Sequence, residues 1–149
     1  MKELLSTRKC FGCNLVGVSL EGQNLQGIDA RSTNFQGANL ANANLRSANL
    51  EWADLRGANL SGADLTEANL ANALLDEANL QRVTLTRANL KGINFRNTNL
   101  VDAVMVNATN ADQLQEKRTP LLCRTQLPSG ILTNRDCQRL TDNPSIASN

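Results

Sequence analysis

The chain has 149 residues, with 15 basic and 14 acidic side chains and no histidine. This length suits one domain with short appendages, and the balanced charge predicts no general attraction to nucleic acid or to anionic membranes. Without histidine the chain lacks the most frequent general base and metal ligand, so we predict neither catalytic groups nor a cofactor or metal. No apolar run is long enough to span a bilayer, and we expect no membrane insertion.

The N-terminal segment, residues 1–12, is predicted to be a short helical cap. A helix from Glu3 to Lys9 would place Leu4 and Leu5 against the structure that follows. The segment has no apolar stretch of the kind found in signal peptides. Either the protein is not exported, or a targeting segment is missing from this chain.

Residues 13–107 repeat with a period of five. An apolar residue falls on every multiple of five from Leu15 to Met105, which makes nineteen consecutive repeats. A small residue, usually alanine, comes two positions earlier, and Asn or Asp lies between the two. A helix face would repeat about every 3.6 residues and a strand face about every 2, so neither element fits. The pattern indicates a chain that turns a corner every five residues, so that four repeats close a square coil and residue n stacks on residue n+20.

In such a coil the large residue and the small one should point inward, because alternate positions of an extended segment share a face. The Asn or Asp between them should face outward and bond local backbone. Ile28 and Ala30 exchange the large and small positions within one repeat. Gln23 would place an amide at an inward site, and Leu74 would expose an apolar side chain where Asn is usual.

The repeated pattern A(N/D)LXX, from about Cys13 to Asn107, resembles the pentapeptide-repeat family. The resemblance covers roughly two thirds of the chain. It implies an all-β solenoid, a right-handed quadrilateral β-helix. With the terminal segments, the predicted fold class is this β-helix with short α-helical caps at both ends.

The C-terminal segment, residues 108–149, is predicted to be a helical cap with a tail. Asn110 is a suitable N-cap for a helix with the sequence ADQLQEKR, and a turn is expected at Pro128–Gly130. A second short helix, capped by Asn134, would run through Leu140. These elements are expected to seal the end of the coil, because an open solenoid end promotes aggregation.

The four cysteines fall into two pairs, both in the caps. Cys123 and Cys137 flank the predicted turn, and we predict a disulfide between them; closing a loop of that size contributes about 3 kcal/mol. Cys10 and Cys13 form a CFGC motif, which is either a second structural pair or two buried thiols. Redox chemistry would require a βαβ context that this sequence lacks, and the pairs are too far apart to share a zinc ion.

Paired cysteines in the caps of such a coil resemble pentapeptide-repeat proteins of the thylakoid lumen of plants and cyanobacteria, or of the periplasm. This resemblance implies a mature chain after removal of a transit peptide. The expected location is therefore the thylakoid lumen of the chloroplast, with a cyanobacterial lumen or periplasm as the alternative.

Outward charges separate along the sequence. Residues 51–77 contain six acids and one base, whereas residues 81–100 contain four bases and no acid. One interpretation is a solvated surface with chance clustering; the other is a bipolar docking surface for a partner protein. Trp52 would be its anchor, unless this side chain lies flat on its own wall. The candidate interaction surface comprises Trp52, Asp76, Glu77, Arg82, Arg87, Lys91 and Arg96.

Three classes of function compete. A filled tube without histidine or inward acids offers no catalytic cleft, so we predict that the protein is not an enzyme. Some members of the resembled family mimic duplex DNA and inhibit gyrase, but the repeats here carry nine acids against seven bases, too few acids to imitate duplex DNA. The prediction is a monomeric scaffold or protein-interaction module with an unknown protein partner and no nucleic acid; the alternative is a DNA mimic.

Overall fold

The structure, a computed structural model, describes residues 6–111, 114 and 120–137. Parallel β-bridges join positions twenty residues apart, from Lys9 with Asp29 to Asn89 with Thr109. These bridges agree with the predicted stacking of residue n on residue n+20. Because a corner follows every five residues, each coil has four sides.

Every corner of the coil is a type II turn. At one of them the Ala43 amide donates to the Leu40 carbonyl over 3.1 Å, and Asn42 between them has a φ of 56°. A positive φ at the third residue of the turn defines this type. All twenty such positions from Gly12 to Asn107 have a positive φ, and twelve of them are not glycine. The corner geometry is therefore imposed by the stacked coils even where the local residue does not favour it.

The interior of the coil is apolar. From Leu20 to Met105, the residue at every multiple of five is at most 2 % exposed. Ile28 and Ala30 are both buried, so the predicted exchange of volume within one repeat is confirmed. The inward hydroxyl of Thr98 donates to the Leu75 carbonyl over 2.9 Å, which satisfies a polar group inside the tube.

One inward assignment is wrong. Gln23 is exposed, although its position in the repeat points inward elsewhere in the coil. It lies in the first coil, and no coil of the described residues precedes it. An amide at this place can reach water and avoids the cost of burial.

The coil begins before the predicted boundary at residue 13. The bridge of Lys9 with Asp29 opens the ladder, and Cys10 occupies a multiple-of-five position with 3 % exposure. Of the predicted N-terminal helix, Ser6 and Thr7 are helical. Residues 1–5, which include Leu4 and Leu5, lie outside the described residues.

The C-terminal segment continues the ladder in a different register. Leu121 bridges Asn99 and Gln126 bridges Val104, an offset of 22 residues in both cases. The segment then forms an antiparallel hairpin of two strands, β1 (Thr125–Gln126) and β2 (Leu132–Thr133). The Gly130 amide donates to the Leu127 carbonyl over 2.8 Å, which agrees with the turn expected at this place.

The described part of the C-terminal segment between the two predicted helices is extended. Its backbone pairs with the open edge of the last coil, so a strand-like conformation satisfies groups that a helix would leave unpaired. Most of the two predicted helices, at residues 111–118 and 134–140, lies outside the described residues. Within the described ranges, no helix has the length and apolar character needed to cross a bilayer.

Candidate interaction surface

The four sides of the coil place the candidate residues on different surfaces. We number the sides by the residues that they bury: side one Leu20 and Leu40, side two Leu25 and Leu45, side three Ala30 and Leu50, and side four Phe35 and Leu55. By the twenty-residue period, the candidates are distributed as follows: Arg82 on side one, Arg87 on side two, Trp52 and Lys91 on side three, and Asp76, Glu77 and Arg96 on side four.

The acidic and basic blocks of the sequence are neighbours in space. Arg87 Nη1 lies 3.3 Å from Glu67 Oε1, and Arg96 Nε lies 3.1 Å from Asp76 Oδ1. Both pairs are twenty residues apart, which is one coil. The two blocks thus neutralise one another between adjacent coils at these places, instead of forming two separate charged zones.

Side four carries a shallow open groove of about 380 Å³ at one corner. Asp76 Oδ1 accepts hydrogen bonds from Asn94 Nδ2 over 3.0 Å and from Arg96 Nε over 3.1 Å. Glu77 forms no ion pair with any described residue. The groove is lined by Arg56, Asp76, Glu77, Arg96 and Asn97.

Arg56 is held beside the groove by Asp54. Its Nε and Nη2 donate to the two carboxylate oxygens over 2.9 and 2.6 Å. The hydrogen bonds from Arg56 hold the pKa of Asp54 below its ordinary value, although partial burial opposes this. The guanidinium of Arg56 is therefore neutralised by Asp54 and positioned before any partner arrives.

Leu74, also on side four, interrupts a regular hydrogen bond. In the coils on either side of it, Asp54 Oδ1 accepts from the Arg56 amide over 3.2 Å, and Asn94 Oδ1 accepts from the Arg96 amide over 3.0 Å. Leucine has no acceptor, and no described residue accepts from the amide of Asp76. Sequence reasoning identified Leu74 as exposed but missed this lost bond, for which the residue type at the Asn position was the signal.

Each cysteine pair lies at disulfide distance. The sulfur atoms are 2.14 Å apart for Cys123 and Cys137, and 2.12 Å apart for Cys10 and Cys13. Cys123 packs with Val101 in a small apolar cluster outside the coil. Among the described residues, no group of His, Cys, Asp or Glu is arranged to hold a metal ion.

A family model for pentapeptide repeats matches residues 13–51, 43–82, 63–100 and 78–109. These segments together cover more than half of the chain, and the chain belongs to the pentapeptide repeat family. Members of this family adopt a right-handed quadrilateral β-helix, and they are generally structural or interaction modules.

Several solved structures are similar to this chain. The protein Rfr23 of the cyanobacterium Cyanothece 51142 is 32 % identical, over 68 % of this chain and 90 % of that one, with a TM-score of 0.43. A pentapeptide repeat protein from the thylakoid lumen of Arabidopsis thaliana is also 32 % identical, over 72 % of this chain and 70 % of that one, with a TM-score of 0.45. The plasmid-mediated fluoroquinolone resistance protein QnrB1 is 19 % identical, over 89 % of this chain and 64 % of that one, with a TM-score of 0.47. Among curated proteins, none matches this chain in sequence.

Proposed function

We propose that this protein is a non-enzymatic protein-interaction module, built as a right-handed four-sided coil whose ends are sealed by the terminal segments. The observation that carries the proposal is the division of its side chains into a filled apolar interior and a polar exterior. The apolar residues at the multiples of five from Leu20 to Met105 occupy the inside of the coil and are at most 2 % exposed. Any ligand must then bind on the outer surface, as expected of an interaction module.

The proposed location is the thylakoid lumen of a chloroplast, with a cyanobacterial lumen or periplasm as the alternative. The two cysteine pairs support it, because disulfides persist in oxidising compartments. We propose that Cys123 and Cys137 are bonded in the native protein, and Cys10 and Cys13 likewise. Titration of free thiols under denaturing, non-reducing conditions should find none in protein taken from its own compartment; four free thiols would remove this support.

The alternative function is that of a DNA mimic, which would compete with DNA for an enzyme that binds DNA. The charge pattern of the surface does not favour this alternative. Arg87 and Arg96 interleave with Glu67 and Asp76 in successive coils, whereas duplex DNA presents about one negative charge per 1.7 Å without interruption. We expect no inhibition in a gyrase supercoiling assay. Inhibition at micromolar protein that disappears when Asp76 and Glu77 are reversed to lysine would favour the DNA mimic instead.

Site-specific photocrosslinking tests the interaction module directly. A photoreactive residue would be placed at one outward corner position of each side: Asn42, Ser47, Asn72 and Asn97. With an extract of the native compartment, we expect one discrete crosslinked protein from at least one side, competed by excess unlabelled protein. Absence of a specific crosslink from all four sides would contradict the proposed function.

A further inference from the structure

Two large apolar side chains stand exposed in the middle of the coil. Among the described residues, six large apolar side chains are exposed, and four of them lie near the two ends of the described coil: Phe11, Val16, Ile131 and Leu132. The remaining two are Trp52, which is 61 % exposed, and Leu74, which is 41 % exposed.

Trp52 and Leu74 are neighbours on adjacent coils. The Leu74 amide donates to the carbonyl of Ala53, the residue after Trp52, over 3.0 Å. Leu74 also bridges Asp54, so the two apolar side chains flank the corner between sides three and four. Trp52 stacks on Asn72, so Leu74 lies one coil away and two residues further along the chain; adjacent coils are about 4.8 Å apart.

The residue types at these two positions are unusual for the repeat. Trp52 is the only aromatic residue at a corner position, which it occupies with the positive φ shared by all the corners. Leu74 replaces the Asn or Asp whose side chain accepts from the amide two residues later, and it exposes apolar surface as well. Local choices that weaken a fold concentrate at functional sites, and Leu74 is such a choice beside the exposed Trp52.

The groove at the opposite corner of side four adds two polar groups without partners. The amide of Asp76 has no acceptor among the described residues. Glu77 is in no ion pair with them, whereas Arg56 and Arg96 are paired with Asp54 and Asp76. Side four thus offers an apolar pair towards one corner, and a backbone donor and one uncompensated carboxylate at the other.

We propose that Trp52, Leu74 and the groove at the opposite corner of side four bind an extended segment of a partner protein that carries an apolar side chain and a nearby lysine or arginine. The apolar side chain covers Trp52 and Leu74, the basic group pairs with Glu77, and a backbone carbonyl accepts from the Asp76 amide. This inference rests on the proposed function and names the partner chemistry. A second copy bound through the same surface would bring two uncompensated Glu77 carboxylates together, which disfavours self-association.

The probe is a panel of ten-residue synthetic peptides with leucine or phenylalanine placed two to four residues from a lysine. Trp52 is the only tryptophan of the chain, so its fluorescence reports binding at this corner. We expect a saturable blue shift of the Trp52 emission with the matching peptides. Replacing the lysine by glutamate, or the apolar residue by serine, should weaken binding at least tenfold.

Leu74→Asn separates binding from stability. It should restore the missing acceptor and raise Tm by about 2–4 °C, while binding weakens at least tenfold. The matched control is Thr84→Asn, because Thr84 occupies the same position of the repeat on side two and the Thr86 amide likewise has no acceptor. This control should raise Tm similarly and leave peptide binding unchanged. Glu77→Lys should shift the preference of the protein to peptides with glutamate in place of lysine.

Three results would overturn the inference: no peptide of the panel shifts Trp52 emission, Leu74→Asn and Glu77→Lys bind like the wild type, or the shift appears with concentration-dependent dimerisation in the absence of peptide. The last would assign the corner to a second copy. Crosslinks from the other sides with none at Asn97 or Asn72 would remove this surface but leave the proposed function intact. Absence of crosslinks from all four sides would contradict the proposed function itself.

Discussion

The middle coils and the C-terminal segment are both stacked on a neighbouring coil, but they are held there by different kinds of contact. Between residues 38 and 90, the repeats contribute the same kind of buried residues, and bridges join positions twenty residues apart throughout. The C-terminal segment, residues 120–136, stacks at an offset of 22 and is held by individual contacts. Its Leu122 amide donates to Asp136 Oδ2 over 3.0 Å, and Thr125 Oγ1 donates to the Leu100 carbonyl over 2.6 Å.

This difference shows how a repeat coil can be terminated. The last coil presents backbone donors and acceptors that must be paired, but a further regular coil would only move the open edge along. The C-terminal segment forms backbone hydrogen bonds with this edge. Its chain then departs from the twenty-residue register of the coil. Side chains such as Arg135, which donates to the carbonyls of Leu114 and Pro120 over 3.0 and 2.7 Å, replace the support that the repeat supplies elsewhere.

The largest effect is expected in the middle coils. Leu55→Ala should lower the free energy of unfolding by about 2–5 kcal/mol, because the filled tube cannot collapse around the cavity. Urea denaturation measures this loss. The same change at Leu15, which is only partly buried in the first coil, is the control and should cost clearly less. Equal losses at both positions would contradict this expectation and show that the first coil is packed as tightly as the middle coils.

Removal of the Cys123–Cys137 bond tests the C-terminal segment. Replacing both cysteines by serine should cost about 3 kcal/mol by loop entropy, against about 2 kcal/mol for the shorter loop of Cys10 and Cys13. Urea denaturation of the two double variants, each against the wild type, gives both values. If the two losses are equal, loop length does not govern the contribution of either bond.

Removal of the buried carboxylate of Asp136 tests the same segment, with a smaller expected loss of stability. Asp136→Ala should cost about 1–3 kcal/mol, because the Leu122 amide loses its acceptor in a buried place. Hydrogen exchange should show faster exchange in residues 120–136 and unchanged protection in the middle coils. The control is Asp64→Ala in the middle of the coil, where the carboxylate is more exposed. Uniform loss of protection along the whole chain would mean that the segment and the coil unfold as one unit.

Acidification should have the smallest effect on the free energy of unfolding, and it should act in both regions. Hydrogen bonds from Arg56 and Arg124 hold the pKa values of Asp54 and Asp102 below their ordinary range. The folded state then binds fewer protons than the unfolded state, so these groups stabilise it fully above about pH 4 and lose that contribution as the pH falls further. The urea midpoint should change little between about pH 7 and 5 and fall below about 4. Arg124→Gln should reduce this fall; an unchanged profile would contradict the role of the pair.

The sequence alone determined the interior and the corners. A strict period of five assigns each side chain by its position in the repeat, and this reasoning correctly placed Ile28 and Ala30 inside and Leu74 outside. Local spacing suffices there because every coil supplies the same neighbours. It misplaced Gln23, because no coil of the described residues lies below it to bury an inward side chain.

Only the tertiary structure decided which charges meet and how the coil ends. Arg96 and Asp76 are far apart in sequence but one coil apart in space, and the period spreads the candidate surface residues over four sides. The strands of the C-terminal segment followed from pairing with an edge twenty-two residues earlier, which no local pattern encodes. The open backbone of the last coil selected an extended conformation there, because an unpaired backbone group costs more than a local preference contributes.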